Sequence, residues 1–128
     1  MARDPLVALA RLRRLETTEA QRRLGAAFAR LDGAEHRIAA AAASLTGEAA
    51  GIAGDYALWL RRGLAERDRA LIAHGLAEAG AATAQALLAE ASAAERALAQ
   101  LRAARLREGR RRQARREQAG LDEATHRA

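Results

Sequence analysis

Arginine is the residue of this chain with the most obvious chemical use, and it is crowded toward one end. All 22 basic residues are arginine, and the formal net charge is +6. Residues 102–128 hold nine arginines against four acids, a net +5, which leaves +1 for the first 101 residues. The stretch "LRAARLREGRRRQARREQ" (101–118) therefore carries most of the imbalance. A guanidinium is permanently charged, and its planar fork matches carboxylates and phosphates. Three uses follow for such a run. It can be a solvated helical end. It can neutralise nucleic-acid phosphates without sequence preference, with strong salt dependence. Or it can be a protein-binding helix that enters the acidic loops of a partner, with Leu106 and Leu121 as apolar anchors. Those leucines are fifteen residues apart, close to four helical turns, and share one face. No aromatic or amide-bearing recognition pattern accompanies the arginines, which counts against nucleic acid. The chain then closes on "RREQAGLDEATHRA", where Glu117, Gln118, Asp122 and Glu123 surround Leu121.

Nothing in the sequence points to catalysis. His36, His74 and His126 lie far apart, and none has metal-ligand spacing. Cysteine is absent, so disulfides and thiolate metal sites are excluded. The glycines form no phosphate-cradling loop, and a thin helical pair offers no concave pocket to shift the pKa of a carboxylate. The expectation is a non-enzyme with no cofactor, no metal and no small-molecule substrate. Phe28, Tyr56 and Trp59 could stack on bases, but all three fall on a seam register and read better as packing residues. Trp59, Leu60 and Leu64 lie just past the expected turn, where an exposed apolar tip is a second candidate docking surface.

The elements that must position these residues are helices. Half the chain is hydrophobic, but 38 of those residues are alanine and 18 leucine, with few β-branched or aromatic side chains. That composition favours long helices joined by a thin seam. Asp4-Pro5 is a helix start, with Asp as cap and Pro at the first helical position. Leu6, Leu9, Leu12 and Leu15 then share a face. From Leu24 a four-three register runs through Phe28, Leu31, Glu35, Ile38, Ala42, Leu45, Ala49, Ile52, Tyr56 and Trp59, as in a coiled-coil seam. Gly47, Gly51 and Gly54 mark a turn, and Asp55 is the next cap.

The fold expected is therefore all-α: a long antiparallel two-helix coiled-coil hairpin with a C-terminal helical overhang. As one domain over 1–128 it would comprise a first arm over about 5–46, a turn over about 47–54, a second arm over about 55–119 and a frayed tail over 120–128. The second arm carries Leu60, Leu64, Leu71, Leu76, Leu87, Leu98 and Leu101. At 1.5 Å per residue the arms measure roughly 60 and 95 Å, so the first runs out opposite about 96–100. The apolar runs are too short for a membrane span or a signal peptide, so a soluble cytoplasmic protein is expected.

At the C-terminus, "REQAGLDEA" (116–124) resembles the closing motif of the FliJ family of flagellar export proteins. Glu117, Gln118, Leu121, Asp122, Glu123 and Ala124 occupy the corresponding places. The stretch "RLRRLETTEAQRRLGAAFARLDGAE" (11–35) is similar to that family's opening arm. The resemblance implies a small stalk or adaptor of the flagellar type III export apparatus. It would be cytoplasmic, at the cytoplasmic face of the basal body, and peripheral to the membrane only through its partners. The implied partners are the hexameric export ATPase, the export gate protein and late-substrate export chaperones. Ring contacts then fall to Leu106, Arg110, Arg112, Arg116, Gln118, Leu121, Asp122 and Glu123, and gate contacts to the tip residues.

Overall fold

A computed structural model describes residues 4–47 and 55–127. Two helices account for almost all of them, α1 over Pro5–Gly47 and α2 over Tyr56–Arg127, and they pack on each other as a helical hairpin. Helix α1 begins as its sequence dictates. The Asp4 carboxylate accepts a 2.9 Å hydrogen bond from the Leu6 N–H, and the Asp4 carbonyl accepts the first helical bond from Val7. Proline at the next position has no N–H that would go unpaired. Helix α2 opens with the Trp59 N–H donating to the Asp55 carbonyl at 3.0 Å. Gly51 and Gly54 of the expected turn, and Ala49 and Ile52 of the expected seam, lie outside the described residues.

By their contacts the described residues form two compact units, 18–47 with 55–90 and 4–17 with 91–127. In the first unit the seam is a column of small residues. Ala20, Ala27, Ala34 and Ala41 recur at every seventh position of α1, and Gly63, Ala70, Ala77 and Ala84 do the same on α2. Ala70 is fully buried, and Ala27 packs with Ala81 and Ala84 beneath Leu24 and Leu31. Gly63 faces Leu45, Arg37 pairs with Glu66, and Ala27 meets Ala81, so α2 numbers rise as α1 numbers fall. The pair is antiparallel.

This seam corrects the sequence register by one residue. Leu24, Leu31, Ile38 and Leu45 are on it, but their partners are Ala27, Ala34 and Ala41, not Phe28, Glu35 and Ala42. Phe28 is 44% exposed. The physical reason is the room available. Small residues let the two backbones approach closely, and a phenyl ring cannot fit between them, so it stands beside the seam. Tyr56 is likewise exposed, and Leu71, Leu76 and Leu87 of the expected second-arm seam stand out from it.

In the second unit Leu6, Leu9, Ala10, Arg13 and Thr17 of α1 are half-buried, and α2 contributes Ala91, Ala94, Glu95 and the buried Leu98. Leu12, Leu15 and Leu101 are exposed, against the expectation that the first two share the packed face. Asp4 and Leu6 share a groove with Arg102, Arg105 and Leu106. The first arm therefore runs out opposite 102–106 rather than 96–100. Helix α2 does not end at 119. It continues to Arg127, held by side-chain bonds one turn apart, with His126 and Arg127 favourably placed at its negative end.

The helix-interior glycines separate into two kinds. A methyl group at Gly75 or Gly109 meets nothing within 4 Å, whereas at Gly63 it runs into the Leu45 side chain. Gly75→Ala and Gly80→Ala, where a Cβ likewise meets nothing within 4 Å, are each expected to raise stability by about 0.5–1 kcal/mol through helix propensity. Gly63→Ala should gain less, because Leu45 must move. Chemical denaturation of the three variants measures the difference, and equal gains would contradict the close approach at Gly63.

Candidate functional site

The strongest candidate for function is the part of α2 that α1 does not accompany. Beyond the groove shared with Asp4 and Leu6, residues 107–127 pack on nothing among the described residues of their unit, and all but Glu108 are exposed. The helix persists without a partner because local bonds support it. Gln113 donates to Glu117 at 3.1 Å, Gln118 donates to Asp122 at 3.1 Å, and the Thr125 hydroxyl donates to the Leu121 carbonyl at 2.9 Å. Glu108 lies 3.5 Å from Arg112 and 3.8 Å from Arg115. Such exposed pairs contribute only tenths of a kcal/mol each, but they fix which charges remain available.

The candidate ring-contact residues then sort by environment. Arg110 and Arg116 form no ion pair among the described residues, so their guanidinium groups are open to a partner carboxylate or phosphate. Arg112 is shared with Glu108, and Gln118 and Asp122 are turned toward each other. Glu123 is exposed. Leu121 is 64% exposed in the middle of the free segment, and Leu106 is 59% exposed at the open end of the hairpin beside Leu6. The two leucines thus sit in different settings, one at the edge of a packed pair and one on a bare helix. The seam positions that follow Leu98 are Arg102, Arg105, Gly109, Arg112 and Arg116, so arginine takes over the stripe that alanine and leucine occupied. The pairing ends where α1 begins, beside Asp4 and Leu6, and the stripe that continues beyond it is basic. Arg102 and Arg105 belong to the basic run picked out from the sequence, but their place on the seam stripe shows only once the seam is indexed.

The tip candidates are placed differently. Trp59, Leu60 and Leu64 are all half-buried, while Leu58 and Tyr56 are the exposed apolar side chains there. The Tyr56 and Trp59 rings lie 5.5 Å apart at a 36° tilt, and Trp59 lines an open groove with Leu45, Leu58 and Arg62. Sequence reasoning missed Leu58, since it falls on no seam register.

Elsewhere charge is spent on ordinary surface pairing. Arg37 donates to Glu66 at 2.8 Å, and this bond raises the guanidinium pKa and lowers that of the carboxyl. His74 sits on the seam flank, 3.0 Å from Glu78 and 3.7 Å from Glu35. His36 takes a raised pKa first from its hydrogen bond to the Asp32 carbonyl. No group of three or more potential metal ligands occurs among the described residues, and none of the described helices is long and apolar enough to cross a membrane. No family model, no curated protein and no solved structure matches the chain.

Proposed function

We propose that the protein is a non-enzymatic stalk or adaptor of the flagellar type III export apparatus, and that 106–127 of α2 is the segment that enters the hexameric export ATPase. One observation carries the reading. A long helix leaves its partner and continues as an arginine-rich segment with two exposed leucines and no internal cover. A solvated end needs no leucine at 121. A helix that inserts into a ring does, because burying that side chain contributes about 1.5–3 kcal/mol of contact. The arginines without internal partners then pair with acidic loops of the ring, and the partner supplies the surface that α1 does not. The resemblance of 116–124 to the FliJ family supports the same assignment independently of geometry. On this reading the protein acts at the cytoplasmic face of the basal body, and its tip around Trp59, Leu60 and Leu64 meets the export gate and late-substrate chaperones. It has no cofactor and no small-molecule substrate.

Adding the purified protein to the cognate export ATPase tests this. Ring assembly and nucleotide hydrolysis should both rise with the ratio of added protein. An ATPase indifferent to the protein at every ratio removes the stalk reading. Binding of nucleic acid that falls steeply with salt would instead favour phosphate neutralisation by Arg102–Arg116.

A further inference from the structure

Within the unit formed by 18–47 and 55–90, the two flanks of the alanine seam differ in charge. Residues 35 and 37 are about 200° apart around α1, so the contacts each makes define opposite flanks. On the Arg37 flank, Arg30 and Arg37 stand seven residues apart, about 10 Å along the helix, over a groove lined by Gly33, Ala73, Ala77 and the exposed Leu76. A Cβ at Gly33 would meet nothing within 4 Å, so the groove is open at that point. Glu66 is engaged by Arg37 at 2.8 Å and Arg69 at 3.5 Å, and Arg30 forms no ion pair among the described residues. The flank is net basic. On the Glu35 flank, Glu35 and Glu78 lie on either side of His74, and both carboxylates are largely exposed. Phe28 and Leu71 stand one heptad before Glu35 and Glu78 on the same flank, each about half exposed. This flank is acidic and carries two apolar knobs.

We propose that copies of this chain associate side to side, the acidic flank of one seating on the basic flank of the next. Three features select a second copy as the occupant. The basic groove calls for a helical surface with carboxylates and bulky apolar side chains, and the chain itself bears one. Like flanks repel, so a symmetric pairing through either flank alone is disfavoured. The groove also offers apolar contact, bringing Phe28 or Leu71 of the neighbour against Leu76 where Gly33 and Ala73 leave room. The contact is heterologous, so each added copy leaves one flank of each sign free and association continues with concentration. Exposed ion pairs are individually weak and are screened by salt, so the assembly is weak and dissolves at high ionic strength.

Sedimentation velocity of the full chain tests the proposal. At low ionic strength the sedimentation coefficient of nuclease-treated protein should rise with concentration, and high salt should return it to the monomer value. Arg30→Glu with Arg37→Glu, and separately Glu35→Arg with Glu78→Arg, should each weaken self-association by about tenfold or more. Mixing the two reversed variants should restore it, because each then presents the complement of the other. If circular dichroism shows that a reversed variant has lost helix, Arg30→Gln with Arg37→Gln replaces it, and the same loss is expected. Wild-type protein that stays monomeric at every concentration in low salt overturns the proposal, as does association that survives these substitutions undiminished. All the changes lie outside the overhang, so stimulation of the export ATPase should be unaffected, and failure of either idea is read separately.

Discussion

Replacing Ala70 by leucine is expected to destabilise the hairpin by about 1–3 kcal/mol, the cost of forcing extra methylenes into a packed site. Ala70 is fully buried at the seam between α1 and α2, in the column that includes Gly63, Ala77 and Ala84. Leucine and alanine have similar helix propensities, so the loss would report packing and not local structure. The companion change is Phe28→Ala. Removing a buried phenylalanine from a core usually costs about 3–5 kcal/mol, but Phe28 is 44% exposed beside the seam. It should therefore cost under about 1 kcal/mol. Urea denaturation of both variants, followed by circular dichroism, gives the comparison. Stabilisation by Ala70→Leu would mean that the helices separate readily to admit bulk, and the close-packed alanine seam would be wrong.

On the stalk reading proposed above, Leu121→Asp is expected to weaken binding to the export ATPase at least about tenfold, because it would replace an apolar anchor by a charge that must be desolvated on docking. The same change should leave the free protein almost untouched. Leu121 is exposed, and the bonds around it run from Gln118 to Asp122 and from Thr125 to the Leu121 carbonyl, neither of which uses its side chain. Arg110→Ala and Arg116→Ala should weaken binding less, and mainly at low salt, as expected for rim charges. Titration calorimetry of each variant against the ATPase separates the two classes. Equal affinity for wild type and Leu121→Asp would remove the leucine from the interface.

The architecture was legible because helix signals are local. Asp4-Pro5 capped and started α1 as its chemistry requires, and Asp55 preceded α2. The antiparallel pairing followed from the density of leucine, alanine and glycine. The seam was less legible, since reading large apolar residues as the core placed Phe28 inside and overlooked Ala27, Ala34 and Ala41. Alanine is so frequent here that its heptad spacing is hidden among alanines of no consequence. The overhang could be inferred from unequal arms, but its start at 102–106 shows only in the groove that Asp4 and Leu6 share with Arg102, Arg105 and Leu106, which no local pattern reveals. The division of the arginines into paired and open ones needs geometry. Glu108, for example, takes up Arg112 and Arg115 and leaves Arg110 and Arg116 free.

The central claim is that the segment beyond Leu106 acts on a partner and contributes nothing to the hairpin. The most direct measurement is hydrolysis by the export ATPase in the presence of protein truncated after Leu106, alongside the full chain. The account predicts that stimulation disappears. The truncated protein should retain the hairpin's helical circular dichroism and cooperative unfolding, because its seam residues lie at or before Leu98. Full stimulation by the truncated form would contradict it and place the acting end elsewhere on the hairpin.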